Sequence, residues 1–419
     1  MGGVGDGRAG PALAVLATAT ALAMGVWFSA TAVVPQLTTA WGLTAAGGSL
    51  LTVAVQLGFV VGALVSAGTG LADRVPARRL LLAGAVGAAL ANAGLLLVDG
   101  LAGGVLVRLA TGALLALVYP SALKEVATWS RRRRGTAMGV MVGALTLGTA
   151  LPHAVTALGG GSGAATDATG GGAPWQAVVV GTSVLALVGG LLTLLLRRPG
   201  PYARPPAAFD RRAALAALRR RPVVLAVLGY VGHMWELYAM WAWTGALVAG
   251  LRGVGALEDP ARAAAWLTAG CLAVGAAGCV AAGLLGDRVG RPATVVLCGT
   301  ASAAAALAVA AVRGGPLPVV VALLAAWGFW VVADSAQLSA LVTEHADPDL
   351  VGGAVAVQMA AGYLTTAVTV WLVPVLVAAL SWGAALAVLA AGSLAGVTAV
   401  LVLWRDERRR TGAPAVAPG

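Results

Sequence analysis

Polar positions are scarce along this chain and come in bursts, separated by apolar runs of about 18–25 residues, each long enough to cross roughly 30 Å of hydrocarbon. Twelve runs are predicted as helices, near 12–36, 45–68, 80–98, 101–122, 136–158 and 176–196, then 222–250, 264–285, 293–312, 318–342, 352–376 and 383–404. The first extends from about Pro11 to Pro35. That is too long for a signal-peptide core, so it reads as a retained helix. The longest polar burst, Arg197 to Arg221, carries eight Arg and four prolines. It reads as a linker at 197–221 between an N-terminal bundle at 1–196 and a C-terminal bundle at 222–404. Within it, Asp210 to Arg221 has the pattern of a short amphipathic surface helix. Gly159 to Gly172, rich in Gly, Ala and Thr, is predicted as a mobile external loop. The tail at 405–419 is basic, then Pro/Ala-rich, and is predicted to lack structure.

Composition agrees with the pattern. Hydrophobic residues make up 59% and charged residues 10%, against roughly 25% charged in soluble domains, which excludes a water-facing globule. The 59 Gly suit close helix packing in lipid. The net charge of +11 would suggest nucleic acid in a soluble protein, but placement decides otherwise. With the N-terminus inside, 23 of the 27 Lys+Arg fall on the cytoplasmic side, leaving Arg252, Arg262 and Arg313 outside and Arg108 within a span. That asymmetry is a topology signal rather than a nucleic-acid footprint. Cys271, Cys279 and Cys298 lie in apolar stretches without metal-ligand spacing and read as small buried residues.

One polar loop occurs twice. Gly70-Leu71-Ala72-Asp73-Arg74-Val75-Pro76-Ala77-Arg78-Arg79 follows the second run, and Gly283-Leu284-Leu285-Gly286-Asp287-Arg288-Val289-Gly290-Arg291 follows the eighth. An offset of 214 carries Asp73 to Asp287 and also Trp27 to Trp241, while 217 carries Gly135 to Gly352. Two nearby registers point to a duplicated six-helix unit, the way many transporters are built.

With these features the chain resembles the major facilitator superfamily over nearly its whole length. The resemblance rests on six plus six spans, a basic central linker and the G-x-x-x-D-R-x-G-R loop. The C-terminal copy of that loop matches in full. In the N-terminal copy Thr69 stands at the first Gly position and Pro76-Ala77 replaces a single Gly. Arg108 and Gly112 match the R-x-x-x-G element of the fourth helix. The resemblance implies an all-α integral membrane fold of two pseudo-symmetric six-helix bundles, with helices 1, 4, 7 and 10 around a central cavity. Neither the Gly-Pro pattern of drug/proton antiporters in helix 5 nor the nitrate-porter signature is present.

Candidate chemistry follows. Charges inside a bilayer are costly and mark function by default. Arg108, Glu236 and Asp334 are the ones well inside spans, and the resemblance places them on the cavity. An Arg there is able to hold an anionic solute or to join a carboxylate in a proton switch. His233, Glu236, Met240 and Trp243 share a helix face, and an apolar setting disfavours a charged carboxylate. Glu236 is therefore the first candidate for proton coupling, with Asp334, Arg108 and His233 as partners; a permanently neutral Glu bonded to His233 or to a backbone carbonyl is the competing reading. Trp27, Phe28, Tyr119, Trp235, Tyr238, Trp241, Trp327 and Trp330 are candidates for the solute lining, or else packing and belt residues. His153 reads as structural and His345 as solvated.

Asp73, Arg74, Arg78 and Arg79, with Asp287, Arg288 and Arg291, are candidates for a cytoplasmic gate. Each Asp is expected against the start of a helix in the other half, Asp73 near Gly352 and Asp287 near Gly135. Arg74, Arg78 and Arg79 are expected to pair with Asp347 and Asp349, and Arg131 to Arg134 with Asp287. A solvated topology anchor is the alternative. The chain lacks a phosphate-binding Gly-x-x-x-x-Gly-Lys-Ser/Thr loop and any hydrolytic or metal constellation, so no enzyme, cofactor or metal is expected.

The expected function is secondary transport of a small organic solute by alternating access, with proton coupling. The setting is the inner (cytoplasmic) membrane of a bacterium, with both termini cytoplasmic and the chain acting as a monomer in the lipid bilayer. An uncoupled facilitator or anion porter, or a non-transporting membrane sensor, are the other readings.

Overall fold

A computed structural model describes residues 6–129, 134–159, 174–196, 198–202, 219–347 and 350–411. Among these, every regular element is helical, and eleven helices are long and apolar enough to cross a membrane, with Ala9–Met24 as a shorter apolar helix. The spans are numbered here α1 (Asp6–Met24 with Val34–Trp41), α2 (Ala45–Thr69), α3 (Ala77–Ala93), α4 (Gly100–Leu115 with Tyr119–Ala127), α5 (Arg134–Leu158) and α6 (Trp175–Leu192). The second set is α7 (Arg221–Ala249), α8 (Pro260–Ala273 with Gly275–Val289), α9 (Arg291–Val312), α10 (Leu317–Ala333 with Ser335–His345), α11 (Val351–Ala379) and α12 (Trp382–Thr411).

The packing is duplicated. In the first set α2 lies on α4 and α6 on both α1 and α3; in the second α8 lies on α10 and α12 on both α7 and α9. The sets meet where α5 packs on α8 and α2 on α11. Small residues make the tightest crossings possible. A Cβ on Gly112 would stand 2.1 Å from the Val55 carbonyl oxygen, and one on Gly328 would stand 1.9 Å from that of Cys271. Only glycine fits at either crossing, α2 with α4 and α8 with α10.

Three expectations are corrected. The first span is not one helix: α1 stops at Met24, turns through 25–30, and resumes after the 3-10 turn Thr31–Val33. Pro35 sits in the first turn of the second segment, where a missing N–H costs no helical bond, and the Thr31 carbonyl accepts from the Val34 N–H instead. The tail also differs, since α12 runs on through the basic stretch to Thr411. Arg408 there stacks over Trp404 at 5.2 Å, Glu407 binds His345 at 2.5 Å and Asp406 pairs with Arg221 at 3.4 Å. His345 is accordingly half-buried and paired rather than solvated. The expected amphipathic helix before Arg221 and the 159–172 loop fall almost wholly outside the described residues.

Candidate functional site: two buried polar networks and an aromatic seam

The break in α1 explains Arg108. In a continuous helix the Val26 and Trp27 carbonyls would accept from N–H groups four residues on. Instead Arg108 Nη1 donates to Val26 O at 2.9 Å, and Nη2 donates to Trp27 O. Nη1 also reaches Ser29 Oγ at 3.1 Å and Asn92 Oδ1 at 3.0 Å. Asn92 in turn donates to Ser183 Oγ at 2.9 Å and to Val179 O at 3.3 Å, tying in α6. A cation at the carbonyl end of an interrupted helix is electrostatically favoured. Arg108 is fully buried inside the N-terminal bundle, with 0% exposure. The expected place on the cavity wall, and the expected partnership with Glu236, are therefore corrected: its partners are backbone and amide oxygens of α1 and α3.

The second network lies in the C-terminal bundle. Glu236 is 1% exposed and its Oε1 accepts from the Trp327 indole N–H at 2.7 Å. Ser302 and Ser393 stand beside the carboxyl, with Asp334 a close neighbour. Asp334 terminates the first segment of α10, and its Oδ1 lies 2.8 Å from His233 Nδ1. The other ring nitrogen of His233 is 2.6 Å from Ser335 Oγ. Helices α7 and α10 thus bring together His233, Glu236, Trp327, Asp334 and Ser335, one turn of α7 against the break in α10, with Ser302 of α9 and Ser393 of α12 beside them. His233 bonds Asp334 rather than Glu236, so the His233–Glu236 bond of the competing reading is not formed.

Between the bundles the seam is filled with rings. Trp27 and Phe28 come from the α1 break, Phe59 from α2, Tyr238 and Trp241 from α7, and Tyr363 from α11. Trp27 stacks near Phe59, Tyr238 and Tyr363 with centroids 5.1, 5.6 and 5.8 Å away. Phe28 lies 6.2 Å from both Tyr238 and Trp241. The Tyr238 hydroxyl donates to that of Tyr363 at 3.2 Å. Tyr119 is a neighbour of Tyr230 and Tyr238 at the edge of the cluster.

The remaining tryptophans go elsewhere. Trp235 turns to α12 and donates to Val388 O at 3.1 Å; Trp330 packs on Phe329 at 4.9 Å and on Ala282 and Cys298. Phe59 and Tyr363 were not among the sequence candidates, because α2 and α11 were not counted as cavity helices; a single Tyr in mid-α11 was the available signal.

The duplicated loops tie within their own bundles. Arg291 Nε binds Glu344 at 2.6 Å and Nη1 binds Gln337 at 3.2 Å, while Arg78 donates to Leu196 O at 3.0 Å. Asp347 pairs with Arg220, not with Arg78 as expected. Arg74, Arg79, Asp287 and Arg288 are exposed. The Asp73 and Arg134 side chains, Arg131 to Arg133 and Asp349 lie outside the described residues. A separate apolar cleft of about 680 Å³ opens between α1, α5 and α8, lined by Thr18, Ala21, Val140, Ala144, Trp266 and Ala276 among others. It holds none of the buried acids.

Comparison with known proteins fits this architecture. The sequence profile of the Major Facilitator Superfamily matches residues 16–259 and 256–418. A crystal structure of a bacterial homolog to the human lysosomal transporter Spinster, in an inward-facing and unoccupied conformation, has a TM-score of 0.65 with this chain. It is 16% identical over 95% of each chain, a likeness of fold. No curated protein matches the sequence.

Proposed function

The chain belongs to the Major Facilitator Superfamily, a family of multi-pass membrane transport proteins, and from that membership we propose that it is a proton-coupled secondary transporter. It moves a small organic solute across the cytoplasmic membrane of a bacterium by alternating access, with both termini cytoplasmic and one chain as the working unit. The bundles at 1–196 and 222–404, joined by 197–221, are the bodies that rock about the aromatic seam. The loops carrying Asp73 and Asp287 guard the cytoplasmic side.

The carrying observation is Glu236, a fully buried carboxyl with one indole donor and a second acid close by. A carboxyl in so apolar a site is costly and marks function, and on this reading Glu236 carries the exchangeable proton. The same helix presents Tyr238 and Trp241 to the seam on another face. A change of charge at Glu236 is thereby felt by the rings that meet the solute.

A thermal-shift screen of solute classes at two pH values identifies the solute. An imposed proton gradient in liposomes then drives its accumulation in the wild type and not in Glu236→Gln. Transport that ignores the gradient in both forms would establish an uncoupled facilitator instead.

A further inference from the structure

Three indoles near the two networks are satisfied, one of them buried and two half-buried. Trp235, Trp243 and Trp327 each donate, to Val388 O, Val370 O and Glu236. Trp27 and Trp241, both 1% exposed, have no partner for their Nε1–H groups among the described residues. Both sit in the same place, the ring cluster between the bundles. Two further polar groups lie unpaired along that seam. His153 of α5 rests against Gly245 of α7, one helical turn beyond Trp241, and its Nε2 is unpartnered. Gln56, on the α2 face between Thr52 and Phe59, has neither amide atom bonded.

Buried donors without acceptors are rare in folded proteins and each costs about 1–3 kcal/mol. Several at one seam, while Trp235 and Trp243 on the same helix as Trp241 are paired, point to a missing acceptor. The seam has no charge to offer. Both Arg108 Nη groups are committed to α1 and α3, with the unpartnered Nε buried inside the N-terminal bundle, and Glu236 and Asp334 are committed to Trp327 and His233 inside the C-terminal bundle. A charged solute among the rings would be buried without a counter-ion, which is costly. Indole N–H groups also present positive ends, which disfavour a cation and favour carbonyl, ether or sulfonyl oxygens.

We propose that the seam binds an uncharged, ring-bearing solute whose hydrogen-bond acceptors take the indole N–H groups of Trp27 and Trp241. The flat body of the solute displaces ring–ring contacts among Phe28, Phe59, Tyr238 and Tyr363, replacing like with like. His153 and Gln56 supply further polar contacts at the two ends. This assignment rests on the transport reading, since it names the solute class of the site about which the bundles move.

Three dansyl probes with one ring system separate the possibilities: the neutral sulfonamide dansylamide, the anionic dansyl sulfonate and a trimethylammonium-tagged cationic dansyl amide. Each is titrated against the full-length protein in lipid nanodiscs, with empty nanodiscs subtracted, reading energy transfer from tryptophan. The expected result is saturable binding of the neutral probe, about tenfold tighter than either charged probe. Trp27→Phe and Trp241→Phe keep a ring but lose the donor, and each weakens binding by about fivefold. Trp235→Phe, whose indole is already bonded elsewhere, leaves binding unchanged.

Tighter binding of a charged probe, no saturable binding of the neutral one, or binding indifferent to both seam substitutions would each overturn the assignment. Neutral binding is expected to persist in Glu236→Gln. Intact binding without gradient-driven accumulation in the wild type would sink proton coupling and leave the site standing.

Discussion

The two bundles share one packing plan but spend their buried charge in opposite ways. In the N-terminal bundle the charge at the centre of the network is a cation, Arg108, held by two backbone carbonyls, a hydroxyl and an amide oxygen, while the buried Glu125 of α4 lies apart and accepts from its neighbour Trp129. In the C-terminal bundle it is a pair of acids with a histidine, held by side chains that can themselves exchange protons or rotate. The difference tracks the helices beneath. Broken α1 has free carbonyls to satisfy, and a guanidinium does so permanently; unbroken α7 has none, so its polar side chains are free to serve each other and α10. One network fixes shape, and the other is able to change state.

Substitutions can break or sharpen that contrast. The largest effect is expected where the shared plan itself is disrupted. Gly112→Leu and Gly328→Leu drive a side chain into a carbonyl about 2 Å away, and each should cost about 3 kcal/mol or more. Thermal unfolding in detergent should show comparable losses in both; a loss in one alone would argue that the bundles are not equivalent frames. Arg108→Met comes next, at about 2–3 kcal/mol, because it strands the Trp27 carbonyl and leaves the single Ser29 hydroxyl proton to serve both Val26 O and Asn92 Oδ1. Arg108→Lys should recover part of this, having one donor head instead of a fork. If Arg108→Met melts like the wild type but loses its response to pH, the contrast drawn above is reversed.

A smaller change is expected for Glu236→Gln. The amide oxygen still accepts from Trp327, so unfolding should shift by no more than about 1 kcal/mol, while any pH dependence of solute binding disappears. The least effect belongs to the half-buried tie between α10 and α12. Glu407→Ala removes the His345 pair and should alter stability by about 0.5 kcal/mol or less, measured by the same melts.

Much of the frame was legible because membrane spans obey a single length rule and because a duplicated loop betrays a duplicated bundle. The C-terminal network was also readable: His233 and Glu236 lie three apart on an apolar helix, and spacing alone puts them on one face. Arg108 was misplaced for a physical reason. Its partners are carbonyls released by a helix break, and main-chain oxygens leave no mark in a sequence. The seam was half visible, since Trp27, Phe28, Tyr238 and Trp241 stood out as aromatics on expected helices. Phe59 and Tyr363 join them only through the crossing of α2 with α11, a contact between distant segments that no local pattern encodes. The gate arginines illustrate the opposite limit, where exposed charges have many possible partners and Arg78 chose a carbonyl of its own bundle.

The claim that only the C-terminal network exchanges a proton can be read directly by infrared difference spectroscopy between acid and alkaline buffer. The account predicts a carboxyl carbonyl band in the wild type that is lost in Glu236→Gln and kept in Arg108→Lys. A band unchanged in Glu236→Gln, or abolished by the Arg108 substitution in protein that still melts normally, would contradict it.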